Sequence, residues 1–248
     1  MFFTFFIPIT ALLFIIFFYY FDIIMGQKVN RLAIPGRKAS KNTHKEWVLT
    51  VINLFVFGGF GAILDVATTF GYGKFYSNTP LEIISIMYLP ASLLIALFIH
   101  DVYFYASHRL LHLPLMLKYI HMHHHQSHTV NAWSAFSFHP VEGFIQIFIV
   151  LIPPLVMPIH PLVHAIFIAF LLFMTVYGHS GYELRANKPP IFNIFNTSFH
   201  HSQHHEFGNF NFGIYLNVWD RFFKTNHPTY VDAYQSLKDK INGSKDAV

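Results

Sequence analysis

Cysteine is absent from the 248 residues. That excludes disulfides and thiolate metal sites, so any metal must be held by nitrogen or oxygen ligands. Charge is scarce as well. Asp, Glu, Lys and Arg make up 11% of the chain, where a soluble domain carries roughly 25%. Hydrophobic residues make up 54%, more than a soluble core explains at this length. The expectation is one membrane-embedded domain with a polar cap. The formal net charge of +4 raises the question of nucleic acid. Lys and Arg form no stripe with interleaved stacking aromatics, and the Phe residues lie mostly inside apolar runs. No nucleic-acid partner is expected.

Residues 2–20 carry no charge and are long enough to cross about 30 Å of hydrocarbon. They have no basic leader or small-residue cleavage site, so they read as a retained span rather than a signal peptide. Residues 26–46 follow, with Lys28, Arg31, Arg37, Lys38, Lys41 and Lys45. The positive-inside tendency puts this loop in the cytoplasm. A second span, 47–70, holds Asp65, which is expected to face protein or the far interface. A third, 83–99, returns and runs into His100 and Asp101. Residues 143–178 contain no Asp, Glu, Lys or Arg, but Pro153, Pro154, Pro158 and Pro161 interrupt them. Interior prolines break helix hydrogen bonding. Two apolar legs joined near Pro158 are therefore expected, the first of them short. The division reads as a single domain over 1–248. Spans and the basic loop occupy 1–100, a histidine-rich region 101–225, and a polar tail 226–248.

Eighteen histidines are present, and their spacing carries chemistry. His108 and His112 are four apart. His121, His124 and His125 form HxxHH, and His201, His204 and His205 repeat it. On a helix, positions i, i+3 and i+4 share one face, so each cluster can present two or three imidazoles toward one point. An isolated histidine is more often a satisfied polar residue than a ligand. Three clusters beside a membrane are unfavourable without a metal or another partner, and neutral imidazole is the commonest protein metal ligand. Eight clustered histidines exceed the needs of one ion, so two are expected. No Glu-x-x-His of the soluble di-iron bundles occurs. A nitrogen-dominated site fits iron, zinc or copper better than magnesium or calcium.

The segments HRLLH (108–112), HMHHH (121–125) and HHSQHH (200–205) resemble the fatty acid hydroxylase and sterol desaturase superfamily. FHPVEGF (138–144) looks like the His-Pro segment of sterol C-5 desaturases and sphingoid-base hydroxylases. GHSGYE (178–183) is similar to the lone-histidine motif, and NFGIYLNVWDRFFKT (211–225) to the segment after the last box. The resemblance covers roughly 101–225 and leans toward sterol C-5 desaturase-like members. It implies an all-α integral membrane protein. About four transmembrane helices or hairpin legs would stand below a cytosolic helical cap that holds a histidine-rich dinuclear site. It implies two iron ions, with dioxygen as co-substrate, ligated by His108, His112, His121, His124, His125, His201, His204 and His205, with His179 as the ninth ligand. Some members carry a second histidine four residues after the lone one. Glu183 stands there in this chain, as a ligand, an acceptor behind a ligand, or neither.

His200 reads as a ligand or a residue lining the site. Asp101, Glu183, Glu206 and Asp220 are candidate acceptors for the outer N–H of ligating imidazoles. His139, before Pro140, is a candidate for the substrate channel or a helix-start residue. His123 should point away from the ligand positions. His160 and His164 read as interface anchors. The resemblance implies hydroxylation or desaturation of a lipid of sterol, fatty acyl or sphingoid type. Its electrons would come from a ferredoxin, or a cytochrome with its reductase. The histidine boxes would face the cytoplasm from the endoplasmic reticulum of a eukaryote or the inner membrane of a bacterium. A zinc-dependent membrane hydrolase is the alternative reading of the same clusters. A metal carrier would instead spread its ligands through the spans.

Overall fold

The computed structural model describes residues 1–25, 34, 43–76, 83–127, 130–183 and 194–243. Helices account for nearly all of its regular structure: α1 (Phe2–Met25), α2 (Thr43–Thr69), α3 (Ile83–Leu111), α4 (Pro114–Met116), α5 (Met122–His125), α6 (Pro140–Phe148), α7 (Ile152–Val156), α8 (Pro161–Gly178), α9 (Ser198–Phe207), α10 (Val218–Phe222) and α11 (Tyr230–Gly243). Among the described residues, β pairing is limited to two isolated bridges, Phe75 with Ile159 and Phe195 with Leu216. Four helices, α1, α2, α3 and α8, are long and apolar enough to cross a membrane. The chain is an all-α integral membrane protein. The basic residues of 26–46 fall largely outside the described residues; Lys45 lies in the first turn of α2.

The chain direction follows from a few contacts. Asp65, near the end of α2, accepts hydrogen bonds from Phe3 N at 2.9 Å and Thr4 N at 2.8 Å, and from the Thr4 hydroxyl. A helix start leaves N–H groups without partners, and a carboxylate from the neighbouring helix satisfies two of them. The charge inside the apolar span therefore faces protein, as expected for Asp65. The two helices also approach closely: a Cβ on Gly61 would lie 2.2 Å from the Phe3 carbonyl oxygen. Glycine permits such backbone contact between spans.

At this end of the bundle the α2–α3 connection meets the turn of the apolar hairpin. Lys74 N donates to Pro154 O at 2.6 Å, and Ile159 N donates to Lys74 O at 3.0 Å. The first leg, α6 and α7, thus runs down from the histidine end, and α8 runs back up. The prolines act as anticipated: Pro153 and Pro154 sit in the short α7, and Pro161 opens α8 behind its cap His160. His164 is fully buried among the rings of Phe3, Phe75 and Phe167, inside protein rather than at an interface.

Polar side chains within α2 face the protein. Glu46 accepts from Ser127 Oγ at 2.6 Å and Asn131 Nδ2 at 3.0 Å. Thr50 Oγ1 donates to Trp133 O, and Asn53 Nδ2 donates to Phe136 O and Phe138 O. Spaced by four and three, these residues form one stripe that fastens Ser127 and residues 131–138 across the top of the spans. The polar tail expected at 226–248 needs correction over its described part. Tyr230, Leu237 and Ile241 of α11 are buried against Phe199 and Ile34. Their spacing is helical, so an apolar stripe docks the helix despite its charged opposite face.

Candidate metal centre

The site is assembled where the spans end. α3 runs 29 residues without a break, about 43 Å at 1.5 Å per residue. That exceeds a hydrocarbon core of about 30 Å, so the end of α3 lifts His108 above the apolar layer. A five-residue π-helix, Leu117–His121, then delivers the second box, with His124 and His125 in α5. His179 caps the C-terminus of α8. The third box lies on α9, whose start is capped by Thr197 accepting from His200 N at 3.0 Å.

The imidazoles form two convergent sets. Potential ligand nitrogens of His108, His112, His121, His125 and His204 lie within 4.8 Å of one another, and so do those of His124, His179, His201 and His205. Each HxxHH box is thereby divided. Its i and i+4 rings join one set and its i+3 ring crosses to the other, so the two boxes exchange a histidine. Adjacent positions on a helix are about 100° apart, so the i+3 and i+4 rings fan outward in two directions rather than toward one point.

The tautomers suit a cation. Four rings face their Nδ1 outward to an acceptor: His108 to Phe212 O at 2.9 Å, His121 to Glu142 Oε1 at 2.8 Å, His179 to Thr175 O at 2.8 Å and His204 to Phe210 O at 2.6 Å. An Nδ1–H committed outward leaves Nε2 as a lone pair facing inward. The Nε2 atoms of these and neighbouring rings lie close together: His108 and His121 are 3.2 Å apart, His125 and His204 3.1 Å, His179 and His201 3.1 Å. Lone pairs this close repel unless a proton or a cation lies between them. Both ring nitrogens of the buried His205 lack a hydrogen-bond partner. The donor set fits one metal ion in each group.

Burial, and then the neighbouring imidazoles, hold His121, His124, His201, His204 and His205 well below the usual histidine range. Burial brings His179 down to about 4. Neutral rings are what a metal requires. Histidines of the unfolded chain titrate near the ordinary 6.5, so below that pH the unfolded chain binds protons that the folded cluster refuses. Stability is therefore complete above that range and falls as the pH drops through it. Metal-free protein in detergent is expected to lose thermal stability steadily from pH 7.5 to 5. Added metal should hold the melting temperature up, because it competes with protons for the same nitrogens. Thermal scans across that range, with and without metal, check this; a flat melting temperature for the metal-free protein would contradict it.

The carboxylates take other places than the sequence suggests. Asp101 touches no imidazole; it accepts from Tyr215 N at 2.9 Å, Leu216 N at 3.3 Å and Trp219 Nε1 at 2.7 Å. Asp220 accepts from Phe212 N and Gly213 N at 2.8 Å and from Thr225 Oγ1 at 2.7 Å. Both carboxylates hold the loop whose carbonyls orient His108 and His204. Glu183 accepts from Tyr177 OH and Phe199 N and belongs to neither histidine set. His200 is fully buried with Nε2 3.5 Å from Asp220, also outside both sets. His139 caps α6 by accepting from Val141 N, and it packs on His123 away from the sets. Glu206 is exposed. Glu142 is the residue that the sequence reading missed. Its only signal was its place in the His-Pro segment, three residues after His139.

Two cavities lie beside the cluster and share part of their wall. A small one, about 40 Å³, is lined by His108, His121, His124, His179, His201 and Glu142, among others. A larger one, about 530 Å³, lies between α3 and α8 and is lined by Leu94, Leu97, Phe98, Phe170, Phe173 and Tyr215 with few polar atoms. Met174 and Tyr177 line both. Leu94, Phe98 and Phe170 are exposed on the apolar flank of the helices, so the larger cavity opens where lipid would be. His139 lines neither cavity.

The fatty acid hydroxylase family model matches residues 93–225. The chain is 32% identical over 151 residues to the Delta(7)-sterol 5(6)-desaturase of Saccharomyces cerevisiae, covering 61% of this chain and 40% of that protein. It is 35% identical over 152 residues to the lathosterol oxidase of Rattus norvegicus, covering 61% and 50% respectively. The human lathosterol oxidase matches over the same length at 32% identity. The chain thus spans half or less of the length of these relatives. No solved structure matches it significantly. A family match over more than half the chain falls on the helices and loops that carry all nine convergent histidines, and the chain belongs to the fatty acid hydroxylase family.

Proposed function

We propose that this protein is a membrane-bound, metal-dependent oxidoreductase that acts on a sterol-type lipid, with two iron ions and dioxygen. His108, His112, His121, His125 and His204 would hold one ion, and His124, His179, His201 and His205 the other. The observation that carries the reading is the pair of inward-facing imidazole sets around a small cavity that shares Met174 and Tyr177 with an apolar cavity of about 530 Å³, within the usual size of a small-molecule site. Bound iron supplies the redox chemistry through which dioxygen is reduced. The protein's own residues do the rest. Phe212 O, Glu142, Thr175 O and Phe210 O orient the rings, and the aromatic walls of the cavity keep water from the reacting carbon.

Desaturation removes two hydrogens from the lipid and reduces dioxygen to two waters, which requires two further electrons and two protons. An external donor, a ferredoxin or a cytochrome with its reductase, is the partner that this balance demands. The single domain over 1–248 would face its histidines to the cytoplasm, since Lys45, in the first turn of α2, hydrogen-bonds Gln126 beside the second box and basic residues favour the cytoplasmic side. The membrane would be the endoplasmic reticulum in a eukaryote or the inner membrane in a bacterium.

Expression in cells that lack sterol C-5 desaturation, followed by lipid mass spectrometry, tests the reading. A sterol lighter by two hydrogens is the expected product; a gain of one oxygen would mean hydroxylation instead. Purified protein that holds only zinc and releases a hydrolysis product would overturn it.

A further inference from the structure

Two buried oxygens beside the histidine cluster lack hydrogen-bond partners. Glu142 gives Oε1 to His121 and leaves Oε2 unmatched, and Gln146 leaves Oε1 unmatched. The two residues lie one turn apart on α6, so they share a face. Both line the small cavity of about 40 Å³ that His121 and His124 also line. An unpaired buried acceptor costs roughly 1–3 kcal/mol, and two adjacent ones facing one cavity imply a donor that arrives with a ligand.

The larger cavity offers no such atoms. Asp101 is engaged by Tyr215 N, Leu216 N and Trp219 Nε1. Tyr215 OH is bonded to His100 Nδ1, and Tyr177 OH to Glu183. A lipid can therefore place its apolar body between α3 and α8 but must carry its polar end past Met174 and Tyr177 toward α6.

We propose that Glu142 and Gln146 form a polar subsite for the hydroxyl group of an alcohol-bearing lipid and so set which carbon is presented to the histidines. This rests on the oxidoreductase reading above. The hydroxyl donates to Glu142 Oε2. A water that donates both to Gln146 Oε1 and to the oxygen of the hydroxyl completes the subsite, since one needs about 10–15 Å³ and the cavity has room for it beside the hydroxyl. A sterol suits this arrangement. Its carbons 5 and 6 lie only two and three bonds from the carbon that bears the hydroxyl. A hydroxyl held by Glu142, itself 2.8 Å from His121, brings those carbons beneath the metal-facing rings.

Displacement of tritiated lathosterol from the purified, metal-loaded protein, by unlabelled lathosterol and by its 3-deoxy analogue, tests the subsite. The unmodified protein should prefer the alcohol by about tenfold or more. Gln146→Leu, and Gln146→Met as a second variant, should lose most of that preference while keeping the metal content and the affinity for the 3-deoxy analogue. Equal affinity in the unmodified protein within both this pair and the sphinganine pair below, or an undiminished preference in both variants, overturns the proposal. Sphinganine against its deoxy analogue forms a parallel arm, and a preference there alone supports the subsite with a sphingoid alcohol. No binding in either arm overturns it. Turnover separates the two readings. Preference without oxidation of either compound sinks the oxidoreductase reading but leaves the subsite standing. Oxidation of both with the same KM does the reverse.

Discussion

His125→Ala is expected to reduce lipid oxidation by about 10³-fold or more, equivalent to about 4 kcal/mol in the barrier, and to lower the metal content from two ions per chain toward one. The His125 ring meets imidazoles from three separate stretches of the chain. Its Nε2 faces His121 at 3.1 Å, His112 at 3.2 Å and His204 at 3.1 Å. These partners come from the π-helix, from the end of α3 and from α9. Its ring also stacks on His205, a member of the other set, at 4.8 Å. Alanine at this position removes one ligand and the wall between the two ions. His123→Ala is the control, because that ring packs on His139 and belongs to neither set; it should change activity by less than about twofold. Metal analysis beside the activity assay decides the matter. Full metal content with full activity in His125→Ala would mean that the five-histidine set is not a metal site.

That set also shows what could be read from the residues alone. The spacing of His108 with His112, and the two HxxHH boxes, named the residues that converge. The scarcity of charge and the positions of the prolines gave the spans and the hairpin. Which ion each histidine serves was not readable. The split of each box depends on two short helices meeting side by side, and on a π-helix that no local pattern announces. The stripe of Glu46, Thr50 and Asn53 stayed hidden because its partners lie more than eighty residues away. Glu142 looked like an ordinary first-turn acid behind Pro140. Only packing of α6 against the second box brings it to His121. The four carboxylates expected behind the ligands illustrate the same limit. A buried acid near a histidine in sequence has many possible donors, and in Asp101, Asp220 and Glu183 backbone N–H groups took part of that capacity.

Asp220→Ala is expected to be the most damaging substitution that touches no ligand candidate's inward nitrogen. The carboxylate is fully buried, and its loss leaves Phe212 N, Gly213 N and the Thr225 hydroxyl without their acceptor. Each unpaired buried donor costs roughly 1–3 kcal/mol, so a total destabilisation of about 3–5 kcal/mol is expected. The effect then passes to the centre. Once Phe212 is released, its carbonyl no longer holds His108 Nδ1, and the neighbouring Phe210 carbonyl loses its aim at His204. Loss of such an outer partner typically costs 10–100-fold in metal affinity or activity. The variant should therefore melt lower, bind metal more weakly and regain part of its activity at high metal concentration. Asp220→Asn, which keeps one acceptor oxygen, should fall between the two. An Asp220→Ala protein that melts and binds metal like the parent would show that the loop over His108 and His204 is held by contacts other than this carboxylate.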